Sequence, residues 1–443
     1  MKSDARDQDH ALGTWSIVEG SSGLYAVAKR RRIGRLVGAG EEQLGREAGH
    51  MARVVNPRSR IFGLDLLRAY AIFCVVWVHG YDLTGHAIPR AVYWLPVSDG
   101  VTIFFVLSGF LIGRILLRTF THSEFDGRML LNFWIRRWFR TLPAYFTVLI
   151  VLVFLWHATG RALPENLYGY FVFSQNLASP HPVFFGEAWS LAVEEWFYLL
   201  VPIPLFLAAR SNAIDKKNLV LLLVAACIVV VAAFRAYRAW RFGYPDIGSW
   251  DENLRKQVVT RFDSLMFGVL GAYLSLFARR WWRKSASVAL GVGLALLVAD
   301  KVCSTDYDGK MLYINYAKLT TTSLGALLLL PFLSSLRATG GVFVRMVTLL
   351  SLISYSMYLL NFSLIRNFLL PAVTAYFSDG RDPAPAMAVL AQYAAFWILT
   401  IASSYLLWRW VERPMTSLRD SFRVVAAGQG LGKPIEAKRL IVE

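Results

Sequence analysis

Apolar stretches of about 20 residues recur along the chain and alternate with short segments that hold most of its charged residues. A helix needs about 20 apolar residues to cross the hydrocarbon core of a bilayer. Only helices and closed barrels satisfy their backbone groups in lipid, and the alternating segments typical of a membrane barrel are absent. The pattern therefore predicts an all-α membrane protein, a bundle of about ten transmembrane helices. The predicted spans are approximately residues 61–81, 100–117, 143–159, 188–209, 219–235, 258–278, 285–303, 315–335, 347–370 and 386–408.

The composition agrees with a membrane protein. Of 443 residues, 56% are hydrophobic and 17% are charged, whereas soluble domains average about 45–50% and about 25%. The three cysteines, Cys74, Cys227 and Cys303, have no paired or metal-like spacing, so we predict neither a disulfide framework nor a metal site.

The formal net charge of +17 is explained by topology. Of the 47 Lys and Arg residues, 32 fall in segments that the positive-inside rule makes cytoplasmic, and 10, including Arg235, fall in the five predicted outer loops. Both termini are therefore predicted to be cytoplasmic. A nucleic-acid partner is not needed to explain the basic excess.

Three regions follow from this pattern. Residues 1–60 are polar and basic, show no cleavable signal peptide and are expected to form a disordered cytoplasmic tail, with a true start at Met51 as the alternative. Residues 61–415 form the integral membrane domain, and residues 416–443 form a cytoplasmic C-terminal tail. The loops are short and no internal repeat is present, so any chemistry must come from residues in or beside the spans.

Ionisable residues inside spans are costly and are candidates for function. The first span carries Asp65, Arg68 and His79. At about 100° per residue, the eleven residues from Arg68 to His79 end about 20° past three full turns, which places both on one face with a rise of about 16 Å. Asp65 can pair with Arg68 across one turn. His79 suits general-base catalysis, although a structural histidine bonded between helices is the alternative.

The second span and the segment after it offer further candidates. Ser108 either serves close helix packing or lies on a substrate path. Arg136, Arg137 and Arg140 lie at the predicted cytoplasmic face. They either anchor the helix at the interface or bind phosphates through their planar guanidinium groups.

Two later spans begin with acidic residues. Glu194 and Glu195 are adjacent, so one is expected to face the bundle interior and the other a loop or water. Arg261 and Asp263 open the sixth span and are expected to form an Arg–Asp pair that is either structural or functional.

Seven strings occur in order over residues 60–415: GLDLLRAYAIFCVVWVH, DGVTIFFVLSGFLIGR, RRWFRTLP, WSLAVEEWFYLLVP, TRFDSLMFG, SYSMYLLN and WRWVERP. In this order the chain resembles the acyltransferase-3 family of integral membrane acyltransferases, which includes O-antigen and peptidoglycan O-acetylases. The resemblance implies a ten-helix bundle in the bacterial inner membrane. It also implies acetyl-CoA, or another acyl-CoA, as a donor substrate rather than a bound cofactor, and a hydroxyl of a cell-envelope carbohydrate or glycolipid as the acceptor.

The resemblance also implies roles for the candidate residues. Arg68 and His79 match the family's arginine–histidine motif for transfer, and Glu194 is the third catalytic candidate, expected to orient His79 or the acceptor. The candidate substrate- or donor-binding residues are Asp65, Ser108, Arg136, Arg137, Arg140, Arg261 and Asp263. Asn361 is a departure, because family members often have histidine at the end of this string, and a titratable role there is in doubt.

Other functions stay open at the level of sequence. A transporter or flippase of a lipid-linked glycan would also place charged residues inside a helical bundle. A membrane glycosyltransferase is a further alternative, although it should carry acidic motifs in longer outer loops. The sequence leaves the acyl group, the acceptor, direct transfer against an acyl-enzyme, and the oligomeric state undecided.

Overall fold

The structure is a computed structural model that describes residues 60–84, 89, 93, 98–122, 127–209, 215–304, 307–338, 340–377 and 385–418. The predicted N-terminal tail lies outside the described residues except for Arg60, and so does the predicted C-terminal tail beyond residue 418. The described part contains helices and no strand, which confirms the all-α class.

In the described part of the chain, ten helices form the bundle, and we number them in chain order. They are α1 Phe62–His79, α2 Gly100–His122, α3 Gly127–Ala158, α4 Ala188–Leu200, α5 Lys216–Phe242, α6 Phe262–Phe277, α7 Ala286–Cys303, α8 Lys318–Leu333, α9 Val342–Leu360 and α10 Pro385–Leu407.

Shorter helical segments extend or connect these helices. The α-helical ones are Leu167–Phe171, Pro202–Ala209, Ile247–Trp250, Arg279–Lys284, Tyr307–Tyr316, Leu370–Phe377 and Arg413–Leu418. Segments Tyr81–Thr84, Val183–Phe185 and Val258–Thr260 are 3₁₀-helical. Segments Asp251–Arg255, Asn361–Leu369 and Trp408–Glu412 are π-helical. The last two continue α9 and α10 directly.

A helix occupies each of the ten predicted spans. Among the described residues, eight helices are long and apolar enough to cross a membrane, and a ninth crossing results if the pair Gly309–Tyr316 and Lys318–Leu333, bent by 61°, is one span. The remaining apolar helix, α6, has only 16 residues. The chain is thus a multi-pass helical membrane protein, while ten crossings and cytoplasmic termini stay predictions.

Two of the predicted boundaries are wrong. Helix α3 begins at Gly127, well before the predicted start at residue 143, because the basic stretch with Arg136, Arg137 and Arg140 continues the helix instead of forming a loop. Arg235 lies inside α5 and not in an outer loop, and only 2% of it is exposed. An apolar string shows which part of a helix can contact lipid. It does not show where the helix begins or ends, because polar turns can extend the helix past the apolar string.

Glycines allow α2 and α6 to pack closely. A Cβ atom at Gly109 would overlap the backbone of Leu265, and one at Gly268 would overlap the backbone of Val106. Such small residues let the backbones of two helices approach each other in a membrane. Because α2 also packs on α1, this contact fixes Ser108 and the polar face of α1 relative to α6.

The outer helices expose apolar side chains. Leu222 and Val229 on α5 are 61% and 64% exposed, and Val298 on α7 is 62% exposed. Extended apolar surface of this kind is unusual on a soluble monomer and is expected of helices that face lipid tails. Buried polar side chains lie between helices, for example between α1 and α9, between α2 and α4, and between α5 and α6.

Candidate active site

One polar cluster lies near the start of α1. Asp65 accepts hydrogen bonds from Arg60 Nε at 2.8 Å, Arg68 Nη1 at 3.4 Å and Ser351 Oγ of α9 at 2.8 Å. The predicted pair between Asp65 and Arg68 is therefore present. Asp65 is 4% exposed, and a buried carboxylate requires such partners. Its role is to hold Arg68 and Arg60 against α9.

A second polar cluster lies at the other end of α1. His79 Nδ1 forms a short hydrogen bond with Asn361 Oδ1, and its ring packs on Phe362 with 4.7 Å between the ring centroids. The same helix thus carries an arginine toward one end and a histidine toward the other, and both side chains face α9. This agrees with the predicted shared face of Arg68 and His79.

Glu194 joins α2 and α4. Its Oε1 accepts a hydrogen bond from Ser108 at 2.9 Å, and its Oε2 accepts one from Tyr198 at 2.8 Å. Arg137 stacks on the Tyr198 ring at 4.4 Å from the centroid. The structure therefore brings Ser108, Glu194 and Arg137 together. The described contact of His79 is with Asn361, and Glu194 is not its hydrogen-bond partner.

Glu195 also faces the bundle interior, so the expectation that one of the two adjacent glutamates faces a loop or water is wrong. Its Oε1 accepts a hydrogen bond from Thr141 at 2.7 Å, and only 7% of the residue is exposed. Adjacent side chains point about 100° apart, but α4 packs between two neighbouring helices. Glu194 is bonded to Ser108 of α2, and Glu195 is bonded to Thr141 of α3.

Basic side chains of α3 lie near Arg68 of α1. Arg140 is exposed. The side chain of Arg68 keeps 15% exposure. The charges of Arg137 and Arg140 act on Arg68, so these three guanidinium groups share one electrostatic environment. Arg136 is partly buried on the same helix and has its own contacts.

The predicted pair between Arg261 and Asp263 is wrong. Asp263 forms an ion pair with Arg235 of α5 at 2.6 Å, and Arg261 donates to Thr102 Oγ1 of α2 at 2.7 Å. Both Arg261 and Asp263 are fully buried. The sequence could not supply this partner because Arg235 was assigned to a loop. These two residues connect α6 to α5 and α2, away from the contacts of Arg68 and His79 with α9.

The polar segment before α2 contains another ion pair. Asp99 accepts hydrogen bonds from the backbone N–H groups of Val101 and Thr102, both at 3.2 Å, and lies 3.3 Å from Arg255. Burial alone would raise the pKa of Asp99, but the charges of Arg255 and Arg261 outweigh it and hold that pKa below its ordinary value. Asp99 is thus a charged cap of α2.

Several site residues were not found from the sequence. Asn361 was noted only as a departure, and Arg60 was assigned to the tail. Glu187 accepts hydrogen bonds from the backbone N–H groups of Phe362 and Ser363. Glu412 accepts a short hydrogen bond from Ser356. A glutamate at the edge of an apolar string, such as Glu412 in WVERP, could have been recognised as a candidate from the sequence. Its partner Ser356 could not, because it is 56 residues away.

Among the described residues, no group of three or more His, Cys, Asp or Glu side chains could hold a metal ion. The polar side chains of the two clusters and of α3 are an imidazole, several guanidinium groups and buried carboxylates. An imidazole can remove a proton, and guanidinium groups bind phosphate or stabilise a developing oxyanion.

An apolar helical bundle with a buried ion pair, several arginines on α3 and a hydrogen-bonded histidine on α1 defines an integral membrane protein with a polar interior suited to chemistry. The chain belongs to the acyltransferase-3 family, whose acyltransferase-domain model matches residues 61–409. The matched model describes an acyltransferase domain, so the transporter or flippase alternative is not favoured.

Relatives from three bacteria are similar to parts of the chain. The putative peptidoglycan O-acetyltransferase YrhL of Bacillus subtilis is 35% identical over 159 residues, which are 32% of this chain and 23% of that protein. The peptidoglycan O-acetyltransferase OatA of Listeria monocytogenes is 34% identical over 163 residues, 33% of this chain and 24% of that protein. The O-acetyltransferase OatA of Staphylococcus aureus is 25% identical over 400 residues, 82% of this chain and 58% of that protein.

The chain thus spans less than two thirds of the length of these relatives. No solved structure matches it.

Proposed function

We propose that this protein transfers an acyl group, most simply acetyl, from an acyl-CoA to a hydroxyl of a cell-envelope carbohydrate in the bacterial inner membrane. The names of the relatives make peptidoglycan the first acceptor to test. The observation that carries the proposal is the arrangement of α1, where Arg68 lies near Arg137 and Arg140 of α3, and where Arg68 and His79 both face α9 about three turns apart.

The arginines of α3 suit the donor. Coenzyme A carries several phosphate charges, and guanidinium groups bind phosphate in planar, bidentate geometry. Arg140 supplies an exposed group of this kind, and Arg137 is partly buried against the Tyr198 ring. We assign Arg136, Arg137 and Arg140 to phosphate binding, while the narrow pantetheine arm extends along α1 toward His79. Ser108 and Glu194 then lie beside the path of the arm.

The reaction at His79 is a general-base acyl transfer. The acceptor hydroxyl gives its proton to the imidazole, and its oxygen attacks the thioester carbonyl. The carbon–sulfur bond then breaks, and the CoA thiolate leaves and takes the proton from the imidazolium. In this scheme Arg68 fixes the donor, and transfer is direct, without an acyl-enzyme. Asp65 keeps Arg68 in place.

The test is acyl transfer in membranes that contain the protein. Radiolabelled acetyl-CoA and a soluble peptidoglycan fragment are supplied, and label on the glycan is measured. His79→Ala should lower transfer by at least about 100-fold, the usual contribution of a general base. His157→Ala is the matched control, because His157 is exposed at the end of α3, and it should keep wild-type transfer.

Two results would contradict the proposal. Wild-type transfer by a normally inserted His79→Ala protein would remove the base from the mechanism. If the wild-type protein labels no glycan from acetyl-CoA or other acyl-CoA donors, the donor class is wrong.

A further inference from the structure

The residue that contacts His79 lies where α9 changes its geometry. Asn361 is the first residue of the π-helical segment Asn361–Leu369, and it is fully buried. Its Nδ2 donates to the backbone carbonyl of Met357 at 2.8 Å and to that of Tyr358 at 2.9 Å. Both donors of the amide group are therefore used within its own helix.

These two bonds determine which ring nitrogen of His79 carries the proton. Carbonyl oxygens accept and never donate, so the Nδ2 of Asn361 must face them and its Oδ1 must face His79. An amide oxygen also only accepts. The hydrogen atom in the bond between the two residues therefore belongs to His79 Nδ1. Neutral imidazole has one N–H, so Nε2 is the unprotonated nitrogen.

Glu187 holds this part of α9 in place. Its Oε1 accepts from the N–H of Phe362 at 2.9 Å and from that of Ser363 at 2.8 Å, and its Oε2 accepts a short bond from the Ser363 hydroxyl. Glu187 immediately precedes α4, so it ties the residues after Asn361 to the helix that carries Glu194. The Phe362 ring then packs on His79.

We propose that Asn361 is a positioning residue that holds His79 in the Nδ1–H form and presents Nε2 to the acceptor hydroxyl. This inference rests on the proposed function. During transfer the acceptor proton goes to Nε2, while Nδ1–H keeps its bond to Asn361; the departing thiolate then takes the proton from Nε2. Without Asn361, the ring can rotate or adopt the other tautomer, which places a proton on the nitrogen that must accept one.

Nuclear magnetic resonance tests the tautomer without any assay of activity. The histidines of the full chain are labelled with ¹⁵N, and the protein is placed in lipid nanodiscs. The signals of His79 are those that disappear in His79→Gln. We expect a protonated Nδ1 and an unprotonated Nε2 in the wild type. A proton on Nε2 instead would overturn the inference. A leucine side chain is similar in size to asparagine but has no polar atoms. In Asn361→Leu, His79 should therefore show a mixture of the two tautomers.

Kinetics with acetyl-CoA and the peptidoglycan fragment test the consequence. Asn361→Leu should lower kcat by about 100-fold, the scale of a general-base contribution, with the KM for acetyl-CoA within about threefold of wild type. Asn361→Asp keeps an oxygen opposite Nδ1 and should recover at least about tenfold of the lost kcat. Ser354→Ala is the matched control, since Ser354 is buried on α9 and donates only to the carbonyl of Ser351; it should retain wild-type kcat.

The outcomes separate this inference from the proposed function. If His79→Ala is inactive but Asn361→Leu keeps wild-type kcat, the function stands and the positioning role fails. Equal loss in Asn361→Leu and Asn361→Asp also rejects the role of the oxygen. If Asn361→Leu does not insert, the wild-type spectrum and Asn361→Asp still decide the question.

Discussion

Each charged side chain inside the bundle has a specific neighbour, and this decides what it can do. Asp65 binds Arg60, Arg68 and Ser351 and is the counterion of the start of α1. Glu194 has both oxygens occupied by hydroxyl donors. Arg140 differs from these because it is exposed, which makes it the best candidate for contact with the donor.

Arg140 provides a prediction at the scale of the residue. Arg140→Gln removes one positive charge from the group formed with Arg68 and Arg137. It should raise the KM for acetyl-CoA about tenfold, because a hydrogen bond to a charged group contributes about 1.5–3 kcal/mol. The value of kcat should change little. Steady-state kinetics measure both, and Arg128→Gln, an exposed position at the start of the same helix, should leave KM unchanged. An unchanged KM in Arg140→Gln would exclude Arg140 from donor binding.

At this scale the sequence was informative for local pairs and uninformative for distant ones. Asp65 and Arg68 are three residues apart on a helix, so their contact follows from helix geometry. The partner of His79 is 282 residues away, and that of Asp263 lies on another helix. No local rule connects such residues. Wherever a partner came from a different helix, the sequence predicted the polar residue but not its contact.

At the scale of the helix, the ends carry more information than the apolar middles. Asp99 caps α2 and also binds Arg255 of the π-helical segment Asp251–Arg255. This one carboxylate therefore links the start of α2 to the segment before α6. Its lowered pKa shows that the ionised form is favoured in the folded protein.

The pH dependence of Asp99→Asn tests this link. Asparagine still caps a helix but cannot form the ion pair, so we expect a loss of about 2 kcal/mol in the free energy of unfolding near neutral pH. A carboxylate with a lowered folded-state pKa stabilises above its unfolded pKa of about 3.9, and this stabilisation is lost as the pH falls toward the folded value. The difference in the free energy of unfolding between wild type and Asp99→Asn should therefore become smaller below about pH 4.

Thermal unfolding of the solubilised protein at several pH values measures that difference. Asp246→Asn is the control for an exposed capping carboxylate, since Asp246 caps the segment Ile247–Trp250 on the surface and accepts hydrogen bonds from Ser249; its effect near neutral pH should be smaller than that of Asp99→Asn. A difference for Asp99→Asn that stays constant down to the lowest pH would argue against the ion pair.

The apolar strings predicted the existence of every long helix but not its geometry. The start of α3 at Gly127 was missed because its first turns are polar and basic. The bend before α8 and the π-helical segment after α9 were also not predicted. Hydrophobicity reports contact with lipid, whereas bends and wide turns depend on hydrogen bonds such as those from Glu187, which come from another part of the chain.

For the whole molecule, the outstanding prediction is orientation. The distribution of Lys and Arg places the loop between α6 and α7 in the cytoplasm and the loop between α3 and α4 outside. Lys284 and Glu165 are exposed in these two loops. In a variant whose three native cysteines are replaced by alanine, Glu165→Cys should react with a membrane-impermeant thiol reagent in intact cells. Lys284→Cys should react only after lysis.

Labelling after denaturation controls for expression of both variants. The opposite pattern would place Arg140 at the outer face and would remove the cytoplasmic donor from the mechanism. The same experiment therefore tests the positive-inside interpretation and whether acyl-CoA in the cytoplasm can reach Arg140.

The wide turn at Asn361 has a consequence for how this span tolerates insertions and deletions. A π-helical turn closes over five residues instead of four, so it accommodates one residue more than a regular helix of the same height. Removing a single residue between Asn361 and Arg366 would let the span relax into an ordinary helix while the residues beyond it keep their orientation. The same deletion in the regular part of α9 would rotate everything beyond it by about 100°, and Asn361 and Arg366 would turn away from His79 and Asp82. The spacing of this segment, and not only its residue types, is thus part of what the chain encodes.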